Sequence, residues 1–143
     1  MAKAQVLLVE DEGIIAMDIK RKLDTLGYTI MGIVSTGEEA MQIVEQQCPD
    51  LILMDINLAG EWDGVMTANR IGERFQVPVV FLTAYPDKLP MDNLVQPLGY
   101  VAKPYSWSAL HATLEATLIK FKLGTLKKNK YAGTPGIPNI ALN

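Results

Sequence analysis

The sequence cannot form an internal disulfide, because Cys48 is the only cysteine among its 143 residues. That usage fits a reducing compartment. Long apolar runs are also missing. Stretches such as Val79-Val80-Phe81-Leu82 are far too short to cross a bilayer. Met1-Ala2-Lys3-Ala4-Gln5 leads straight into a strand-like segment, without the apolar core of a signal peptide. A cytoplasmic location without membrane insertion is expected. Positive charge is scarce over most of the chain: residues 1–123 hold all 16 acids and 10 of the 13 bases, a net charge of −6. Residues 124–143 carry only Lys127, Lys128 and Lys130. An acidic body argues against direct nucleic-acid binding, which needs a basic face. Three tail lysines suit a solvated linker.

What is present fits one globular domain: 49% of residues are hydrophobic and 20% charged. Val6-Leu7-Leu8-Val9 is a continuous apolar run, expected of a strand buried on both faces. Ile15, Ile19, Leu23 and Leu26 mark one helix face, ended by Gly27. Tyr28 to Val34 is rich in β-branched residues and reads as a second strand. Thr36 and Glu39 form a capping box for a second helix containing Ala40, Ile43 and Val44.

Pro49-Asp50 ends that helix, and Leu51-Ile52-Leu53-Met54 is a third strand. Asp63 is placed to cap a third helix whose face holds Val65, Ala68, Ile71 and Phe75. Val79 to Leu82 forms a fourth strand. Three prolines in residues 86–97 leave only a short or irregular helix there. Tyr100-Val101-Ala102 is a short fifth strand, and Ser106 caps a last helix with Leu110, Leu114, Leu118 and Phe121 in register. On that helix Ile119, Leu123 and Leu126 continue an apolar pattern around another side, through Gly124.

Alternation of this kind implies an α/β fold, a doubly wound parallel sheet of five strands with helices on both faces. Ligands then sit at the carboxyl ends of the strands. Glu10-Asp11-Glu12 follows strand one, Asp55 and then Asn57 follow strand three, Thr83-Ala84 ends strand four, and Lys103-Pro104 follows strand five. Carboxylates held together repel by roughly 4 kcal/mol per pair at 4 Å and an effective dielectric near 20. Such a cluster needs a cation or raised pKa values. Oxygen ligands favour a hard ion such as Mg²⁺. The same acids replace the glycines and free N–H groups that a dinucleotide or P-loop site requires after strand one.

Together, Glu10-Asp11, Asp55, Asp63-Gly64, Thr83-Ala84 and Lys103-Pro104 after Tyr100 resemble response-regulator receiver domains of two-component signalling, over about residues 4–123. The resemblance implies a flavodoxin-like (βα)₅ fold with strand order 2-1-3-4-5. It implies a phosphoprotein in which Asp55 accepts a phosphoryl group from a sensor histidine kinase or phosphotransfer protein, not a conventional enzyme. Asp11 and Asp55 would bind Mg²⁺ directly, with the carbonyl of Asn57, and Glu10 would act through water. Lys103 would contact the phosphoryl group, Thr83 would donate its hydroxyl to it, and Tyr100 would be an aromatic switch. Lys103-Pro104 would carry a cis peptide bond. Phosphorylation would alter the face formed by residues 86–123, with a possible homodimer there.

This chain departs from the commonest family pattern at two places. Ala59 stands where proline is usual, and the Asp55–Asp63 loop is one residue longer, as in receivers associated with sensory modules. Glu10 replaces the more usual aspartate.

Two other functions compete. An aspartate-nucleophile phosphatase needs a second aspartate at the place of Asn57, and asparagine cannot deliver a proton. A receiver-like binding module that is never phosphorylated would predict loss of Asp55, Asp11 or Lys103, and all three are present. Among the remaining residues, His111 reads as solvated and Cys48 as structural. Met17, Met31, Met41, Met54 and Met66 sit at core-like or helical spacings. Trp62 and Trp107 read equally as surface anchors or as packing. Residues 132–143 have the composition of a linker or tail.

Overall fold

The strands with unbroken apolar sequence are those with both faces covered. The computed structural model describes residues 4–90 and 98–131, with side chains over 4–90 and 99–124. Strands β1 (Gln5–Val9), β2 (Thr29–Val34), β3 (Leu51–Asp55), β4 (Val79–Thr83) and β5 (Leu98–Ala102) form one sheet. All pairings are parallel and the order is β2-β1-β3-β4-β5. Every residue of β3 and β4 is buried, whereas the edge strand β2 is half-exposed.

Helices α1 (Gly13–Thr25), α2 (Gly37–Gln46), α3 (Gly64–Gly72) and α4 (Trp107–Tyr131) cover the sheet. Strand side chains alternate between two cores. Val6, Leu8, Leu53, Val80 and Leu82 meet Ile19 and Leu23 of α1 and Leu110, Leu114 and Leu118 of α4. Leu7, Val9, Ile52, Met54 and Phe81 meet Met41 and Val44 of α2 and Ala68 and Ile71 of α3.

The helix starts follow the sequence. Thr36 Oγ accepts the Glu39 N–H at 3.1 Å, and Glu39 Oε1 accepts the Ser35 N–H at 3.3 Å. Asp63 Oδ1 accepts the Met66 N–H at 2.8 Å, and Ser106 Oγ accepts the Ala109 N–H at 3.1 Å. Between β4 and β5 a 3₁₀ turn spans Pro86–Lys88. The rest of the proline-containing stretch, 91–97, lies outside the described residues.

Several expectations give way. Strand β5 begins at Leu98, two residues before the expected start at Tyr100, and it takes in Gly99, where α4 crosses closely. A Cβ there would lie 2.6 Å from the Thr117 hydroxyl oxygen. Met17 and Met66 are exposed, so helical spacing alone did not make them core, and Cys48, read as structural, is exposed as well. His111 is half-buried: it packs edge-on against Tyr28 at 6.2 Å, and its Nε2 lies 3.4 Å from Glu115 Oε1. Trp62 and Trp107 both pack against the cores. Among the described residues no helix is long and apolar enough to cross a membrane.

Candidate functional site

The parallel order brings the carboxyl ends of β1 and β3 side by side, with β4 and β5 beyond them. At each end the apolar run stops and a polar residue takes over. The Glu10 N–H donates to the Val34 carbonyl at 2.9 Å, extending the β1–β2 ladder by one residue. That bond draws Glu10 beneath the edge, where it is only 2% exposed, while Asp11 projects outward. Oxygens of Glu10, Asp11 and Asp55 all lie within 4.8 Å of one another.

Asp55 is 3% exposed and held from both sides. Its Oδ1 accepts the Asn57 N–H at 3.0 Å, and its Oδ2 lies 2.9 Å from Lys103 Nζ. Its backbone is hemmed in as well: a Cβ on Gly64 would approach the Asp55 carbonyl oxygen to 2.6 Å, so only glycine allows this closeness. Thr83 is buried beside it on the neighbouring strand, and its hydroxyl oxygen accepts the Tyr85 N–H at 3.0 Å. The Thr83 carbonyl accepts the Lys103 N–H at 2.7 Å, and the next peptide, Lys103-Pro104, is cis.

Electrostatics favour a cation here. Three carboxylates face one ammonium group. Burial, and then the charge of Asp55, push the Glu10 carboxyl from 4.5 up to about 7. Glu10 Oε2 accepts the Glu12 N–H at 3.3 Å, but the buried Oε1 has no hydrogen-bond partner among the described residues. An orphaned oxygen in an all-oxygen donor set fits a hard divalent ion such as Mg²⁺.

Glu10, Asp11, Asp55 and Lys103 therefore meet at one edge of the sheet, and Asn57 and Thr83 border them through their backbone and strand positions. Tyr100 stands apart on β5, 46% exposed. Two participants were not singled out from the sequence. Tyr105, directly after the cis proline, is half-buried, and its phenol is pushed up by burial and then by the negative field of Glu10, Asp18 and Asp55. Its place beside Lys103-Pro104 was the available signal. Ala59 forms a parallel bridge with Thr36, tying the long loop to the start of α2. That long-range pairing leaves no local trace.

Comparison with known proteins agrees with the geometry. The model of the response regulator receiver domain matches residues 6–115. This chain belongs to the response-regulator receiver family. The receiver is 36% identical over 115 residues to the phyllosphere-induced regulator PhyR of Methylorubrum extorquens, covering 80% of this chain and 43% of that protein. It is 32% identical over 120 residues to the transcriptional regulatory protein PdtaR of Mycobacterium tuberculosis, covering 82% and 58%. The receiver thus spans about half the length of the curated relatives it matches.

Among solved structures, the anti-anti-sigma factor PhyR of Bartonella quintana superposes with a TM-score of 0.74 at 35% identity, covering 89% of this chain and 51% of that one. The N-terminal domain of a response regulator/sensory box/GGDEF three-domain protein of Carboxydothermus hydrogenoformans gives 0.76 at 37% identity, covering 85% and 98%. Receiver domains are signalling modules that phosphorylate and dephosphorylate themselves, not classical enzymes.

Proposed function

We propose that this receiver takes a phosphoryl group onto Asp55 from the phosphohistidine of a sensor histidine kinase or phosphotransfer protein, with Mg²⁺ as cofactor. The observation that carries the reading is the buried Asp55 carboxylate, faced by two further carboxylates and paired with Lys103 at 2.9 Å. Asp11 and Asp55 would hold the ion directly, with the Asn57 carbonyl, and Glu10 through water. Bound there, Mg²⁺ supplies the positive charge that lets a carboxylate approach an anionic phosphorus centre.

The chain's own residues do the rest. A carboxylate oxygen of Asp55 forms a bond to phosphorus as the N–P bond breaks, and the electron pair of that bond stays on the imidazole. Asn57 fixes the carboxylate through its N–H, and Lys103 moves from the carboxylate to the charge spread over the phosphoryl oxygens. The Thr83 hydroxyl, whose oxygen already accepts a bond from Tyr85, keeps its hydrogen available for the phosphoryl group. Its inward movement would leave space for Tyr100 to turn in from the surface, altering the face formed by residues 86–123. Residues 1–123 act as the receiver in the cytoplasm, without direct contact to nucleic acid, and residues 124–143 are a linker or tail.

Incubation with acetyl phosphate and Mg²⁺ tests this reading. The protein should gain the mass of one phosphoryl group, and Asp55→Asn should gain none. An undiminished mass shift in the variant would remove Asp55 from the mechanism.

A further inference from the structure

The loop from Ile56 to Asp63, between β3 and α3, is closed at its neck and held along its length by different elements. At the neck the Gly64 N–H donates to the Ile56 carbonyl at 2.9 Å, and the Asn57 N–H donates to Asp55 Oδ1 at 3.0 Å. The Asn57 carbonyl belongs to the next peptide plane, the one that joins it to Leu58. Its direction therefore depends on what holds the residues that follow.

Those residues rest on the first turn of α2. Leu58 packs against the core that α2 and α3 cover. Ala59 forms its parallel bridge with Thr36, the residue that caps α2. Gly60 takes a left-handed conformation, with φ +88°, and a Cβ on it would lie 3.3 Å from Glu38 Oε2. Glu38 Oε1 is buried without a hydrogen-bond partner among the described residues, so packing holds the turn against it. Trp62 completes the contact. Its Cβ lies 3.0 Å from where a Cβ on Gly37 would stand, and the Arg70 guanidinium covers its ring at 4.7 Å. The fit at Gly37 is close on its other side too. A Cβ there would overlap the Thr67 hydroxyl, which donates to the Asp63 carbonyl at 2.8 Å and so fastens the far end of the loop. Three consecutive residues of one helix start, Thr36, Gly37 and Glu38, thus seat Ala59, Trp62 and Gly60.

We infer that the first turn of α2 positions the Asn57 carbonyl for the divalent cation, with Thr36, Gly37 and Glu38 as positioning residues. The inference rests on the reading of Asp11, Asp55 and Asn57 as the Mg²⁺ ligands. Coupling of this kind is reciprocal: a helix that orders a ligand for the ion is itself ordered when the ion binds. Mg²⁺ should therefore tighten α2, which packs on the face of the sheet opposite α4.

Mg²⁺ alone, titrated calorimetrically into the 143-residue chain, tests the inference. Gly60→Val cannot hold the left-handed turn and should weaken affinity on the order of tenfold, as loss of an outer support to a metal site does. Gly60→Asn, which tolerates that conformation, should bind as the wild type does. Trp62→Ala should weaken binding in the same direction as Gly60→Val, and it carries the test if Gly60→Val fails to fold. In the wild type, amide exchange over residues 37–41 should slow on saturation with Mg²⁺, and in Gly60→Val it should slow less. A merely structural role would lower stability in urea and leave both readouts unmoved. Unchanged affinity in Gly60→Val and Trp62→Ala overturns the inference, as does Mg²⁺ binding to the wild type without slower exchange over residues 37–41. Wild-type protein that binds no Mg²⁺ defeats the reading of the site itself, and this inference with it.

Discussion

The five strands create two opposed environments within a few ångströms. Along their lengths, Leu7, Leu8, Leu53 and Phe81 are fully buried among apolar neighbours, and local pattern, packing and burial all agree. At the carboxyl edge the same strands end in Glu10, Asp55 and Thr83, buried almost as deeply, where the two carboxylates repel each other and Glu10 Oε1 lacks a hydrogen-bond partner among the described residues. The cores stabilise the fold, and part of that stability holds the acids together. A site of this kind is where local preference and global fold are expected to disagree.

Substitutions in the two environments should therefore act differently. Phe81→Ala, in the core, should lower stability in urea by about 3–5 kcal/mol through lost burial and a residual cavity. A loss below 1 kcal/mol would show that the sheet is not the stabilising element. Gly64→Ala lies at the boundary. Its Cβ would crowd the Asp55 carbonyl, so a stability loss of about 1–3 kcal/mol should accompany slower phosphorylation by acetyl phosphate. Normal phosphorylation in that variant would separate the loop from the site.

At the edge, pH should reveal the strain. The fold pushes Glu10 from 4.5 to about 7, favouring the protonated carboxyl. Its contribution is complete below pH 4.5 and is lost as pH rises through 7. Without Mg²⁺, the wild type should lose about 2 kcal/mol more than Glu10→Gln between pH 5 and pH 8 in urea unfolding. Parallel pH profiles would mean that Glu10 is not strained.

Metal affinity gives the smallest expected effect. Asp11→Ala should weaken Mg²⁺ binding by about tenfold or more, and Glu10→Ala by less, because a contact through water is more easily replaced. Lys103→Ala should leave affinity unchanged or raise it, since a competing cation is gone, while phosphorylation slows. Equal losses in Asp11→Ala and Glu10→Ala would reverse the assignment of direct and water-mediated ligands.

The parts legible in the sequence were those set by short-range pattern. Unbroken apolar runs located β1, β3 and β4, and Thr36, Asp63 and Ser106 gave the helix starts. The acids became readable as a cluster only because parallel strands share one edge. Features that depend on contacts distant in sequence were hidden. Gly99 reads as a strand breaker until α4 lies across it, and Ala59 reads as loop until Thr36 pairs with it. Met17 and Met66 kept helical spacing yet face outward, and His111 gained Tyr28, remote in sequence but on the same face of the sheet, as a neighbour. The bonding of Asp55 to Asn57 and Lys103, and the orphaned oxygen of Glu10, required coordinates.

The central claim is that Asp55 forms an acyl phosphate, and borohydride trapping tests it most directly. After incubation with acetyl phosphate and Mg²⁺, reduction should convert the modified aspartate to homoserine, which peptide mapping locates. The account predicts homoserine at position 55 alone, and only when Mg²⁺ was present. Trapping at Asp11 instead, or a label on His111 that resists borohydride, would contradict it.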